Sequence, residues 1–181
     1  MGRVIAKAWI TLDGVFDADS MDQWHMPYES ESRAAEIRAN MDGSDAMVYG
    51  RKTYEMLFPY WSKLKNNEMG IAAKINSVPK YVVSSTLKKA DWNNSTVLGD
   101  NLKDEVALLK EKHKQIMVDG SASVVRALSK AGLVDEYRLL IHPVVMGKGK
   151  KFFTEGMEVA KLKLVKSETL ELGVLLMHYC R

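Results

Sequence analysis

The chain has 181 residues, 46% of them hydrophobic, with a formal charge of +3 and a single cysteine, Cys180. That length and apolar content predict one domain, residues 1–181, with a core of its own, and one cysteine excludes an intrachain disulfide and a cysteine-rich zinc site. No charge run suits a nucleic-acid tail, no apolar run reaches membrane length and no signal-peptide apolar region opens the chain, so a cytoplasmic protein with no nucleic-acid or membrane partner is expected.

Residues 4–12 come first. Val4, Ile5, Ala6, Ala8, Trp9, Ile10 and Leu12 leave few polar breaks, the pattern of a central strand covered on both faces. Asp13-Gly14 is a turn signal. The stretch 15–29 holds Asp17, Asp19, Asp22, Trp24, His25 and Tyr28 and is longer than a simple connection, which suggests a lid or binding loop. Ser30 or Ser32 then starts a helix to about residue 40, with Ala34, Ile37 and Met41 on one face and Asp42-Gly43-Ser44 closing it.

A strand over 45–49 runs into Gly50, and a short helix over 53–58 ends at Pro59. Gly50 permits a sharp turn and a close ligand. The first amides of the following helix lack intrahelical partners and carry the positive end of its dipole. Arg51, Lys52 and Thr53 add two cations and a hydroxyl at that end, the pattern of a phosphate site; the alternative is a plain strand-to-helix turn with a solvated basic first turn. The segment 60–78, with Trp61 and a weak helix over 69–75, suggests no function.

Residues 80–84 read as a strand with Tyr81, Val82 and Val83 buried. Ser84-Ser85-Thr86 follows at its carboxyl end, where ligands collect in open α/β sheets; a turn rich in hydroxyls is the alternative. After a short strand at 95–98, Asp100 or Asn101 caps a helix to about residue 113, with Leu102, Val106 and Leu109 inward and Lys110, Lys112, His113 and Lys114 solvated at its negative end. The strand at 116–118 repeats the first joint. It runs into Gly120; Ser121 is placed to cap a helix bearing Val124, Val125, Leu128 and Ala131, and Gly132 is placed as its left-handed C-terminal cap. Two strand–Gly–helix joints suggest two phosphate cradles for one dinucleotide, although neither GxGxxG nor GxxxxGK[ST] is present.

Residues 135–145 alternate Tyr137, Leu139 and Ile141 with Arg138, Leu140 and His142, a strand pattern. Residues 161–169 and 174–180 form an antiparallel pair around Glu171-Leu172-Gly173. Repeated β–α–β units followed by antiparallel strands predict one mixed sheet with helices on both faces.

The chain resembles the dihydrofolate reductase-like superfamily, and within it the free-standing relatives of the reductase domain of the bifunctional riboflavin-biosynthesis deaminase/reductase. The resemblance rests on Thr11-Leu12-Asp13-Gly14-Val15, Tyr49-Gly50-Arg51-Lys52-Thr53-Tyr54-Glu55, Val82-Val83-Ser84-Ser85-Thr86, Asp119-Gly120-Ser121-Ala122, Gly132-Leu133-Val134-Asp135-Glu136-Tyr137-Arg138 and Pro143-Val144-Val145-Met146-Gly147-Lys148-Gly149, in family order. It implies an α/β fold, dihydrofolate reductase-like and three-layered (αβα), whose mixed, mainly parallel sheet of about eight strands ends in a C-terminal antiparallel hairpin. It implies an NADPH-dependent reductase of a small heterocyclic or ribosylamino-pyrimidine substrate. The zinc-deaminase signature is missing, so only the reductase half is represented. Dihydrofolate reduction, or NADPH binding without turnover, are the alternatives.

By the same resemblance Gly50, Arg51, Lys52 and Thr53 form one cofactor cradle and Gly120, Ser121, Ala122 and Ser123 the other. Ser84, Ser85 and Thr86 meet the adenosine ribose and its 2′-phosphate, and the 15–29 loop closes over the nicotinamide. Trp24, His25 and Tyr28 are candidates for the substrate pocket, although a lone histidine in a loop is more often exposed than catalytic. Asp13 is a candidate proton donor, with turn capping as its other role, and Glu29 and Glu31 lie near the helix start where folate reductases place a carboxylate. Asp119 is expected beside the pyrophosphate, hydrogen-bonding a neighbouring amide. Gly120 is expected to serve a phosphate and not the fold. A homodimer is expected, with Tyr137 and the late strands forming either its seam or the core. No metal site is expected.

Overall fold

Alternating apolar runs and amphipathic segments give a three-layer architecture. Among the described residues, 1–99 and 101–181, the computed structural model contains β1 (Arg3–Thr11), α1 (Met21–Trp24), α2 (Glu31–Gly43), β2 (Ala46–Gly50), α3 (Arg51–Trp61), α4 (Ala72–Ser77), β3 (Lys80–Val83), β4 (Ser95–Leu98), α5 (Leu102–Lys112), β5 (Gln115–Val118), α6 (Ala122–Lys130), β6 (Glu136–His142), β7 (Lys163–Thr169) and β8 (Leu175–Cys180). The strands form one sheet in the order β4-β3-β2-β5-β1-β6-β8-β7. Strands β1 to β6 run parallel, and β8 and β7 complete the sheet as an antiparallel pair beside β6. This is the mixed, mainly parallel sheet with a C-terminal hairpin that the sequence predicted. Among the described residues, no helix is long and apolar enough to cross a membrane.

Strand β1 sits inside the sheet and its side chains enter two cores. Val4, Ala6, Ala8 and Ile10 pack with Val106 and Leu109 of α5 and with Val124, Val125 and Leu128 of α6. On the other face Ile5 joins Met41 of α2, Tyr54 of α3, Ile75 of α4 and Trp92. Coverage on both sides is why β1 reads as a nearly continuous apolar run.

Several local expectations change. Helix α2 is capped by Ser30, whose side chain accepts from the Arg33 amide. Helix α3 starts at Arg51 and runs through Pro59 to Trp61; in the last turn the missing proline amide forfeits one bond, and the turn still closes with Ser62 N donating to Phe58 O. Met69 has φ +56 within a 3-10 turn at Glu68–Gly70, which delays α4 to Ala72. In β3 it is Lys80 and Val82 that are buried, with Tyr81 and Val83 half-buried. Lys80 Nζ donates to Val78 O at 2.8 Å and lies 4.9 Å from the Trp92 ring.

At α5, Asn101 occupies the N-cap position but its side chain donates to Asp104; Asp100, the other candidate cap, lies outside the described residues. Lys110 and His113 are not simply solvated. Lys110 pairs with Asp135 at 2.7 Å, and His113 Nε2 lies 2.8 Å from the Tyr81 hydroxyl. Gly132 closes α6 at φ +73, as the sequence suggested.

Tyr137 belongs to the core and not to a seam between copies. It is 2% exposed, and its hydroxyl donates to Ser129 Oγ at 2.8 Å. Replacing Tyr137 by Phe is therefore expected to cost about 0.5–1.5 kcal/mol, the usual net worth of one hydrogen bond. The check is the urea midpoint of unfolding, and an unchanged midpoint would contradict this packing.

Candidate active site

Parallel strands end together, so the carboxyl ends of β1, β2, β3, β5 and β6 form one edge of the sheet. Gly50 ends β2, and Ser84, Gly120 and Pro143 follow β3, β5 and β6 directly or nearly so at this edge. Because β2 and β5 are sheet neighbours, their two strand–Gly–helix joints are in contact. Gly50 N donates to Gly120 O at 2.9 Å. A Cβ on Gly50 would lie 2.6 Å from Ser121 Oγ and 3.1 Å from Ser121 N. Gly50 has an ordinary extended conformation, φ −71 and ψ 155, so close approach requires this glycine and no unusual turn does.

Gly120 differs. Its φ is +117, and a Cβ there would stand 3.3 Å from both Phe16 Cζ and Thr53 Oγ1. The backbone itself demands glycine, which corrects the expectation that only a bound phosphate would. Beyond each joint a helix begins without a side-chain cap: Gly50 has no side chain, and Ser121 makes no capping bond. Ser121 Oγ instead lies 2.7 Å from Ser123 Oγ, so the expected serine cap of α6 is absent. The first turns of α3 and α6 thus lie side by side with their amides uncapped. Arg51 and Lys52 are exposed there, and Arg51 lies 3.6 Å from Glu55. At the end of β3, Ser84 Oγ accepts from the Thr86 and Leu87 amides, at 3.2 and 2.9 Å, and so serves its own turn; Ser85 and Thr86 are exposed.

On the sheet face under α2 and α3 lies a polar group that the sequence reading missed. Lys7 Nζ is 2.8 Å from Asp119 Oδ1, with both side chains largely buried. Asp119 therefore pairs with a lysine, where an amide partner was expected. Lys7 Nζ also sits 5.2 Å from the Trp9 ring centre. Close by, Trp9 Nε1 and the Tyr49 hydroxyl are buried without hydrogen-bond partners among the described residues. Burial first, and the Asp119 charge second, push the Tyr49 phenol well above its ordinary pKa. The sequence did carry one signal: a single lysine inside an otherwise apolar central strand.

The 15–29 stretch folds as three short helical turns, Ala18–Ser20, Met21–Trp24 and Met26–Tyr28. Trp24 and His25 are 1% and 4% exposed, so the expectation of an exposed loop histidine is overturned; Tyr28 is half-buried. His25 stacks on Trp9 with ring centres 4.3 Å apart. His142 Nδ1 faces the Ile10 carbonyl at 3.1 Å, and His25 Nδ1 faces His142 Nε2 at 3.2 Å. A carbonyl only accepts, so His142 carries a proton on Nδ1, and His25 Nδ1 lies between His142 Nε2 and Arg33 Nη1, the latter at 3.4 Å. Arg33 Nη1 donates to His25 O at 2.7 Å. Burial, then Arg33, pushes the His25 pKa down to about 3, and burial lowers that of His142 too. Trp24 and Tyr28 meet the His142 ring edge-on. These residues pin the segment to the sheet.

Asp13 is corrected as a proton donor. Its carboxylate accepts from Thr11 Oγ1 at 2.6 Å and from the Met146 and Gly147 amides, and it pairs with Lys151 Nζ at 2.8 Å. Lys151 above all, then Thr11, holds it well below the usual carboxylate range. A carboxylate kept ionised in this way has no proton to give; it clips the 143–151 loop to the end of β1. Glu29 and Glu31 are also spoken for, by Arg33 and Arg38, on exposed side chains.

Comparison with known proteins bears on this arrangement. A family model described as the RibD C-terminal domain matches residues 3–176. The uncharacterized protein YyaP of Bacillus subtilis (strain 168) is 31% identical over 180 residues, covering 98% of this chain and 94% of that one. Among solved structures, a putative riboflavin biosynthesis protein from Shewanella sp. PV-4 superposes with a TM-score of 0.78 at 22% identity, covering 99% of this chain and 98% of that one. A pyrimidine reductase-like protein from Corynebacterium diphtheriae gives a TM-score of 0.71 at 16% identity, covering 99% and 91%. Both show the same fold.

Two outcomes follow from this geometry. Unfolded histidines take up protons near pH 6.5, whereas His25 in the folded chain does so only near pH 3. Between those values the unfolded state binds more protons, so stability is full above pH 6.5 and falls as the pH drops through the window. The expected loss from pH 7 to 4 is roughly 1–4 kcal/mol, read by thermal unfolding, and His25→Gln is expected to flatten that dependence. Gly120→Ala is expected to lower stability by about 1–3 kcal/mol even without ligand, because of its positive φ; unchanged apo stability would contradict the backbone described above.

Proposed function

The chain belongs to the RibD C-terminal domain family, and on that premise we propose that it is a reductase using NADPH to reduce a small heterocycle of the ribosylamino-pyrimidine kind. The observation that carries this reading is the pair of uncapped helix starts, α3 and α6, held in contact at the carboxyl edge of the sheet. Unpartnered amides at helix N-termini favour anions, and phosphate in particular. Two such ends together suit the phosphates of a dinucleotide.

In this reading Gly50 and Thr53, with Gly120, Ser121, Ala122 and Ser123, hold the pyrophosphate region. Arg51 and Lys52, with the exposed Ser85 and Thr86, supply charge-assisted hydrogen bonds to a 2′-phosphate. NADPH supplies the hydride, and the protein's task is to orient the reactants, exclude water and manage a proton. Lys7 takes the place first considered for Asp13. Its buried ammonium, steadied by Asp119, is the group assigned to donate a hydrogen bond or a proton to the substrate heteroatom that gains charge as the hydride arrives. Tyr49 and Trp9 support the assignment, since buried donors without partners carry a cost that a polar ligand relieves.

The reading is tested by binding and turnover measured separately. Wild-type protein is expected to bind NADPH more tightly than NADH, as read from nicotinamide fluorescence. Arg51→Ala is expected to weaken NADPH by about 1.5–3 kcal/mol, the scale of a hydrogen bond to a charged group, and to leave NADH nearly unchanged. The double variant Lys7→Met with Asp119→Asn leaves no buried charge alone; it is expected to keep NADPH affinity and to lower kcat about 10²–10⁴-fold. Equal affinity for the two cofactors would refute the 2′-phosphate assignment. NADPH binding with no oxidation on any pyrimidine or pterin would make the chain a binding protein and not a reductase.

A further inference from the structure

The chain has four tryptophans, and they differ in what their indole nitrogens meet. Trp24 and Trp92 are almost fully enclosed, and each has a partner. Trp24 Nε1 donates to Ser20 Oγ at 3.2 Å and Trp92 Nε1 to Asn76 Oδ1 at 2.7 Å. That is the ordinary state of a buried indole, whose N–H has lost its water and needs an acceptor. Trp9 departs from it. Its Nε1 is buried with no hydrogen-bond partner among the described residues, although the residue as a whole is only half-buried.

The position of Trp9 gives this orphan donor a use. Side chains alternate along a strand, so Lys7 and Trp9 share one face of β1, and Trp9 is the nearer to the carboxyl edge where the glycine joints lie. Lys7 Nζ stands 5.2 Å from the indole centre and 2.8 Å from Asp119 Oδ1. The ring is also held in place. His25 lies parallel to it, with ring centres 4.3 Å apart and an interplanar angle of 8°. His25 is itself fixed, because Arg33 Nη1 donates to its carbonyl at 2.7 Å. A donor on a ring held in this way is a fixed reading point beside the ammonium.

We infer that Trp9 sets the substrate specificity of this site: its indole N–H donates to a carbonyl oxygen on the ring of the heterocycle, beside the Lys7 ammonium. The inference rests on the reductase reading above and adds what the substrate must carry. A carbonyl oxygen has two lone pairs and accepts from the indole and the ammonium together, whereas an aromatic ring nitrogen has one and serves a single donor. An indole N–H donates and never accepts, so it opposes a ring N–H or an amino group at that point. A site built around a buried donor rejects analogues that lack the acceptor, since the donor is then left unpaired. The substrate class is therefore a cyclic amide or imide, a pyrimidine or fused pyrimidine bearing a ring carbonyl. A plain aminopyrimidine is discriminated against.

The test is heteronuclear NMR of the isotope-labelled full chain with NADP+ present. Two probes are titrated: 5,6-diaminouracil, and 4,5-diaminopyrimidine, which keeps the ring and both amino groups without the carbonyls. The Trp9 indole signal is identified by its loss in Trp9→Phe, a change that keeps an aromatic ring against His25. If that variant does not fold, the signal is assigned by elimination with Trp24→Phe, Trp61→Phe and Trp92→Phe. Saturation with the uracil is expected to move the Trp9 signal downfield, further than the other indoles. Trp9→Phe is expected to weaken the uracil about tenfold or more, the scale of one hydrogen bond from a buried donor. The carbonyl-free ring is expected to bind wild type and variant alike, and more weakly than wild type binds the uracil. A Trp9 signal that stays in place with the uracil bound would overturn the inference. So would Trp9→Phe binding the uracil like wild type, or the two probes binding wild type equally; in these cases NADPH oxidation on a pyrimidine still decides the reductase reading by itself. Failure of both probes to bind wild type would overturn the inference and that reading together.

Discussion

The arrangement of this molecule depends on the contact between two glycine joints. Adjacent parallel strands lie under 5 Å apart, and β2 and β5 each turn directly into a helix at the same edge. There is no space for a side chain at Gly50, because Ser121 stands where its Cβ would be. There is no ordinary backbone at Gly120, because its φ is +117. With both glycines in place the two joints hydrogen-bond to each other, and α3 and α6 start side by side. Each helix presents the positive end of its dipole. Two such ends held together repel each other, and an anion between them would remove that repulsion.

The Lys7–Asp119 pair poses a similar question one layer deeper. A buried ion pair is weak evidence for stability, since desolvating both charges offsets their attraction and apolar replacements are often neutral or better. Lys7 interrupts the apolar run of β1, and its neighbours Trp9 and Tyr49 keep buried polar atoms unpartnered. A core optimised for stability alone would carry none of these. The His25–His142–Arg33 group contrasts with it. There each contact has a partner, and the result is a rigid attachment of the Met21–Tyr28 region to β1 and β6. One polar cluster keeps buried polar atoms without partners, and the other fastens a segment.

The sheet is also unequal from end to end. From β4 to β1 it is enclosed by two helical layers, and the glycine joints and Lys7 all belong to this enclosed part. Around β7 it is exposed.

What the sequence determined by itself is whatever local pattern encodes. The apolar run of β1, the alternation in β6, the turn between β7 and β8 and the glycines closing β2 and β5 each fixed an element, and their order fixed the mixed sheet, because a strand or helix is specified by residues close in the chain. The positive-φ cap at Gly132 was readable for the same reason. Partnership between side chains was not readable. Lys7 meets Asp119 only because β1 lies beside β5, and Asp13 is claimed by Lys151 only because the 143–151 loop folds back onto β1. His25 is buried because His142 and Arg33 arrive from β6 and α2, and Tyr137 turns inward because Ser129 waits on α6. Strand order and register decide such pairs, and those are settled by the packing of the whole chain, since no short stretch holds both partners.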